Sequence, residues 1–261
     1  MIVLCYHRIV SDYMGDLSGP YHIRKQTFER HIRLLHELNI NVVCLGEIFR
    51  KSSYPTLPSE TTAIITFDDG HVSNYTLSAE ILTGYRLKAT FFITTSLIDS
   101  GDDWLTSSQL REMSANGMEI GSHTHSHRYL NELNDGEVTR ELSISKTILE
   151  GITGQTIEYL SCPGGRYKTG IAKVAKESGY TAICTSKPGV NRKLERCHSP
   201  VVFLERYILR GDITDKCFKN IVMRKTSTHI ANAVYILKKL AWSVLGNETY
   251  YSIWEKRNLK S

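Results

Sequence analysis

Ala63-Ile64-Ile65-Thr66-Phe67-Asp68-Asp69-Gly70 is an apolar run that ends abruptly in two carboxylates and a glycine. Continuous apolar runs of this length read as strands buried on both faces, the kind found in parallel sheets. Further on, Met118-Glu119-Ile120-Gly121 leads into His123-Thr124-His125-Ser126-His127. In each case chemistry-bearing side chains stand where a strand gives way to a loop.

Working outward, similar runs recur at Ile2–Cys5, Val42–Leu45, Ala89–Ile93, Tyr159–Ser161, Tyr180–Cys184 and Val201–Leu204. Between them lie helical patterns. Phe28, Ile32, Leu35 and Leu38 follow Gln26 or Thr27, and Ser108–Ala115 follows a Thr106 or Ser107 cap. Gly136–Glu150 follows Asn134 or Asp135 and is expected to end at Gly151; Lys168–Ser178 is expected to close on Gly179. Alternating strands and helices over some 200 residues imply an α/β fold, either a doubly wound sheet or a barrel. Both architectures place functional groups beyond the carboxyl ends of strands, where the two clusters sit.

With 261 residues, 41% hydrophobic and 23% charged, the chain has the composition of a folded globular protein. Its formal charge of +5 is uneven: residues 216–261 hold nine Lys or Arg against Glu248 and Glu255, so the first 215 residues carry −2. A nucleic-acid binder with a basic body is therefore disfavoured. The six cysteines show no Cys-x-x-Cys spacing, and no apolar stretch approaches the roughly 20 residues of a membrane span. The start, Met1-Ile-Val-Leu-Cys-Tyr, reads as a strand and not as a leader. The expectation is a reduced, cytoplasmic enzyme, with a peripheral place on the inner membrane face as a variant of it.

Asp-Asp-Gly alone can be a tight turn, and a histidine triplet alone can be a solvated loop. Both at strand ends point to a metal site. Two histidines and one carboxylate leave coordination open for water, the catalytic and not the structural pattern for zinc. A second carboxylate beside that set has a natural role as general base. Composition does not say which aspartate does which.

Thr66–Gly70 and His123–His127 together resemble the first two signature motifs of the polysaccharide deacetylase family, also called the NodB-homology or carbohydrate esterase family 4. Cys5-Tyr6-His7-Arg8, Ala89–Ile93, Glu119–Ser122 and Pro163-Gly164-Gly165 extend the likeness over residues 1–215. The resemblance implies a distorted (β/α)7 barrel, here followed by a basic helical tail at 216–261. It implies Asp68 as general base, and Asp69, His123 and His127 as ligands of a divalent ion, Zn2+ or another. The reaction would be removal of an N-acetyl group from an amino-sugar of a polysaccharide, oligosaccharide or lipid-linked glycan precursor. The N–H of Gly164, after Pro163, would face the oxyanion.

Two departures stand out. The family's third motif usually opens with Arg and has an aromatic after its proline; Ser161-Cys162-Pro163-Gly164-Gly165 has neither, leaving Arg166 and Tyr167 as candidate replacements for substrate and oxyanion contacts. The late Leu-x-x-His element has no histidine in Leu204–Leu209, so the acid that protonates the leaving amine is sought at His7, with His198 as a weaker candidate. An altered amide or ester hydrolase and a non-catalytic, metal-containing sugar binder are the alternatives. The intact Asp68 argues against the binder. Residues 229–257 combine an amphipathic pattern with Lys238-Lys239 and aromatics, which suits either packing on the barrel or contact with an anionic membrane.

Overall fold

The computed structural model describes residues 1–13, 19–49, 61–192, 194, 201–225 and, in the tail, 233, 235–237, 241, 245 and 249. Its strands are β1 Ile2–Tyr6, β2 Arg8–Val10, β3 His22–Arg24, β4 Asn41–Val42, β5 Thr62–Phe67, β6 Thr90–Ile93, β7 Glu119–Ser122, β8 Tyr159–Ser161, β9 Ala182–Cys184, β10 Val202–Leu204 and β11 Tyr207–Ile208. The α-helices are α1 Lys25–Glu37, α2 Leu45–Phe49, α3 Glu80–Gly84, α4 Ser107–Ala115, α5 Asp135–Thr153, α6 Ile171–Glu177 and α7 Asp215–Val222. Asn74–Ala79 winds as a π-helix into α3.

Every pairing in the main sheet is parallel, in the order β10-β9-β8-β7-β6-β5-β1-β11, with β4 beside the start of β5. The two ends of that order are halves of one chain segment, since only Glu205 and Arg206 separate β10 from β11. One half pairs with β9 and the other with β1, so the sheet curls back on its first strand. Counting the split strand once, seven positions surround the axis, as the (β/α)7 expectation requires.

Strand pleating divides the apolar residues into two cores. Val3, Ile64, Phe92, Tyr159, Cys184 and Leu204 pack together inside the curl. Ile2, Leu4, Ala63, Ile65, Phe91, Leu160 and Ile183 pack outward against the helices. All six residues of β5 are buried, which explains their unbroken apolar reading. Following the inner face toward the carboxyl ends, the same parity reaches Asp68 from Ile64, Ser161 from Tyr159 and Arg206 from Leu204. The barrel interior thus changes from apolar to polar at one end.

The expectations held for most strands but shifted at some borders. Leu45, expected to close a strand, opens α2. Helix α5 runs through Gly151 to Thr153 and stops at Gly154, whose left-handed φ of 66° supplies the turn. A capping box at Thr106–Gln109 starts α4, and a second at Asn134–Glu137 starts α5. Ile144, on α5, is exposed. The short pair β2–β3 and the π-helical turn have no counterpart among the expected elements, and α7 lies at the start of the expected helical tail. Asp215 opens α7, whose Phe218, Ile221 and Val222 lie in the barrel's outer core. In the tail, Ile236, Leu237 and Leu245 are exposed, while Tyr235 is half-buried. Ala233 and Thr249 are exposed and Ala241 is half-buried, and the remainder of 229–257 lies outside the described residues. No helix among the described residues is long and apolar enough to cross a membrane.

Candidate active site

Asp68 and Asp69 leave the end of β5 in opposite senses. The N–H of Asp68 donates to the Tyr6 carbonyl, continuing the ladder with β1. Asp69 then takes a left-handed φ of 77°, uncommon for a residue with a side chain. That reversal aims the two neighbouring carboxylates at different partners.

Asp69 Oδ1 lies 3.3 Å from His123 Nε2 and 3.4 Å from His127 Nε2. Donors bound to one tetrahedral zinc at about 2.0–2.1 Å stand about 3.3–3.4 Å apart, so the spacing fits a shared cation. His123 Nδ1 lies 2.9 Å from the Ser161 carbonyl, which can only accept, so that ring nitrogen carries the proton. Its Nε2 therefore offers a lone pair to the Asp69 side, the usual outer support of a ligating histidine. Burial alone would make His123 harder to protonate, but Asp68 and Asp69 raise its pKa. A proton between two facing lone pairs does what a cation would do, and a cation would displace it.

Asp68 has a different environment. Its Oδ1 accepts from Arg206 Nη1 and its Oδ2 from Arg206 Nη2, both at 2.8 Å. Ser161 Oγ adds a third bond to Oδ2 at 3.0 Å, and Arg206 Nη2 also lies 2.8 Å from that hydroxyl. Arg206 Nε donates to the Thr185 carbonyl at 2.9 Å. Burial opposes ionisation of Asp68, yet the Arg206 charge, with His123, holds its carboxyl well below the usual range. Asp68 is a fixed, ionised carboxylate with one acceptor position left on Oδ1.

The histidine loop is braced from outside. Glu141, a buried residue of α5, accepts from the N–H of His125 at 2.9 Å, the N–H of Ser126 at 2.8 Å and Ser126 Oγ at 2.5 Å. His125 Nδ1 meets Thr95 Oγ1 at 2.9 Å, so the middle histidine of the triplet stands outside the ligand set.

Pro163-Gly164-Gly165 forms a short 3-10 turn in which Gly164 has φ 59°. A Cβ there would lie 3.0 Å from the Tyr129 ring, so glycine is needed for both conformation and space. The expectation that Arg166 stands in for the missing arginine is corrected: Asp68 is held by Arg206, and the Arg166 guanidinium lies 4.1 Å over the Tyr129 ring. Tyr167 stacks on Phe203 at 5.5 Å, and burial pushes its hydroxyl up to about 12. The aromatic beside Gly164 is Tyr129, from the loop after His127.

His7 follows β1, with its ring 4.8 Å from that of Tyr21 and its carbonyl accepting from Asn74 Nδ2. One of its ring nitrogens lies within 4.8 Å of an Asp68 carboxylate oxygen. Burial lowers its pKa, and Asp69 and Asp68 offset part of that. His7 Nδ1 is buried with no hydrogen-bond partner among the described residues. His198 lies outside the described residues.

Arg206, Ser161, Tyr129 and Glu141 are the site residues that sequence reasoning missed. Arg206 left one signal: a lone cation inside the apolar stretch Val201–Leu209, where a buried charge must find a partner. The other three carry no local signature.

The sequence profile of the polysaccharide deacetylase family matches residues 57–183. The Bacillus subtilis protein YxkH, named for the same activity, is 32% identical over 72% of this chain and 64% of its own length. A peptidoglycan-N-acetylglucosamine deacetylase of Bacillus cereus is 30% identical over 49% of this chain and 58% of its own. The chain therefore spans less than two thirds of these relatives. Among solved structures, the Streptococcus pyogenes deacetylase PplD superposes with a TM-score of 0.73 at 22% identity, covering 85% of this chain and 97% of PplD. That likeness concerns the fold.

Proposed function

The chain belongs to the polysaccharide deacetylase family, and on that premise we propose that it is a metal-dependent hydrolase that removes N-acetyl groups from an amino-sugar. The observation that carries this reading is the division of labour between adjacent carboxylates. Asp69 faces two imidazole nitrogens, while Asp68 is pinned by Arg206 and Ser161.

Asp69, His123 and His127 would hold the divalent ion, Zn2+ or another. When bound, such an ion polarises the acetamide carbonyl and acidifies a water. Asp68 Oδ1 receives the proton of the attacking water, because its remaining lone pair is free and its charge is secured by Arg206. The Gly164 N–H is the candidate donor to the oxyanion, where a fixed dipole stabilises charge as it develops. The departing nitrogen must gain a proton, since an amide anion is a very poor leaving group. His7 is the candidate donor: it is close to Asp68, it is half-buried, and its Nδ1 is uncommitted among the described residues.

Relatives named for peptidoglycan and chitin substrates support a glycan of N-acetylated hexosamines, polymeric or lipid-linked. A different amide or ester on the same scaffold is the second reading, favoured by Ser161 and Gly164 standing where the family has Arg and an aromatic. Exposed Ile236, Leu237 and Leu245 beside Lys238-Lys239 support peripheral contact with an anionic membrane face. Loss of liposome flotation on deleting 226–261 is its expected signature; equal flotation would remove it.

The decisive assay is acetate release from N-acetylated peptidoglycan fragments and chitooligosaccharides. Wild type should release acetate, and Asp68→Asn and chelator-treated protein should not. Equal release by Asp68→Asn, or none by wild type from any N-acetyl sugar, would overturn the proposal.

A further inference from the structure

We propose that Glu141 is a positioning residue for the metal centre: its carboxylate holds the loop that presents His127, and so sets the affinity of the site for its ion. This rests on the metal-dependent reading above.

The two imidazoles of the set are supported unequally. His123 sits at the end of β7, with its N–H on the Ile93 carbonyl and its Nδ1 on the Ser161 carbonyl. Its pose comes with the sheet. His127 stands in the following loop, its side chain 42% exposed, and its N–H donates to Thr124 Oγ1 at 3.2 Å. Its pose comes with the loop.

That loop is strained, since Thr124 has φ 67° and His127 has φ 60°. Left-handed conformations at such residues persist only where the surroundings over-determine them. The carbonyls of Thr124 and His125 are taken by the N–H groups of Thr95 and Ser96. The opposite side of the loop, the N–H groups of His125 and Ser126, converges on one oxygen of Glu141. Ser126 Oγ takes the other. A single carboxylate on the rigid helix α5 thus fixes three donors between the two ligands. An amide is the conservative replacement, since its oxygen can keep the two backbone donors while its NH2 faces the Ser126 hydroxyl, which can accept.

The test is Zn2+ affinity of the full chain, measured by competition with a chelating dye, with thermal midpoints in excess chelator recorded alongside. Glu141→Ala should weaken Zn2+ binding roughly 10–100-fold, the usual scale for losing an outer support of a ligand, and Glu141→Gln should recover most of it. Ser126→Ala, which removes one bond of three, should weaken it less than Glu141→Ala, and the chelated midpoints of Ser126→Ala and Glu141→Gln should stay near wild type. Glu141→Ala binding Zn2+ within twofold of wild type would overturn the proposal, whatever its midpoint in chelator. Failure of wild type to bind Zn2+, Co2+ or Mn2+ at all would instead sink the metal reading beneath it.

Discussion

Arg206 grips both carboxylate oxygens of Asp68 at 2.8 Å, across 138 residues of sequence. It does so from the two-residue break between β10 and β11, where the barrel closes on its first strand. Closure of the fold and securing of the Asp68 charge are one structural event.

Breaking that pair should be costly in two currencies. Arg206→Met leaves a buried, unpartnered carboxylate, and removing one member of a buried pair costs about 3–5 kcal/mol. Arg206→Lys keeps the charge but loses the planar two-pronged contact, so turnover should fall strongly while bound metal stays near wild type. Urea midpoints, metal content and acetate release on the same samples check both. Normal turnover in Arg206→Lys would show that charge alone suffices.

Removing the ion should abolish turnover, and adding Zn2+ back should restore it. His123→Ala and His127→Ala should each lose bound metal, whereas His125→Ala should keep it, because the His125 ring is occupied by Thr95. Metal analysis of the three variants is the check, and loss of metal from His125→Ala would contradict the assignment.

His7→Ala should cut turnover by about 10²-fold or more, the scale expected when a general acid is lost. Bound metal should not change. A near-normal rate would leave the leaving amine to be protonated by another group.

Stability should fall on the acid side of neutrality through His31. This residue is fully buried, bonded to the Tyr6 hydroxyl at 3.0 Å and stacked on Phe218 at 3.9 Å, and burial lowers its pKa to about 4. The unfolded chain binds a proton at His31 from about pH 6.5 downward and the folded one only near pH 4. Stability is therefore full above pH 6.5 and is lost as pH falls toward 4, by up to about 3 kcal/mol from this group. His31→Phe keeps a ring against Phe218 and should flatten the decline in urea midpoint between pH 7 and 5. An unchanged decline would assign it to other groups.

Gly164→Ala should disturb the turn after Pro163. A side chain at φ 59° is strained by about 1–2 kcal/mol, and its Cβ would press the Tyr129 ring at 3.0 Å. A lowered rate with retained metal is expected. An unaffected rate would argue that this N–H makes no contact in the reaction.

Strand cores were legible because parallel strands buried on both faces must be apolar throughout, as in Thr62–Phe67. Borders were less legible. Gly151 reads as a stop, but it lies inside α5, where packing outweighs the roughly 1 kcal/mol cost of a helical glycine. Of the site, the residues contiguous with strand ends were legible: Asp68, Asp69, His123 and His127. His7 reads as a candidate from its place at the end of the first strand.

By itself, the sequence determined the parallel α/β architecture and the cluster of carboxylates and histidines at two strand ends, because both are written in local patterns of burial and chemistry; the roles of Asp68 and Asp69 within that cluster are what the family resemblance implies. It also determined that the third motif lacks its arginine. Only the tertiary structure decided what fills that gap. Arg206, Ser161, Tyr129 and Glu141 reach the site from four different segments, and the contacts that give them meaning form only when the sheet curls shut. A guanidinium's partner is fixed by distance in space, and no local pattern encodes it.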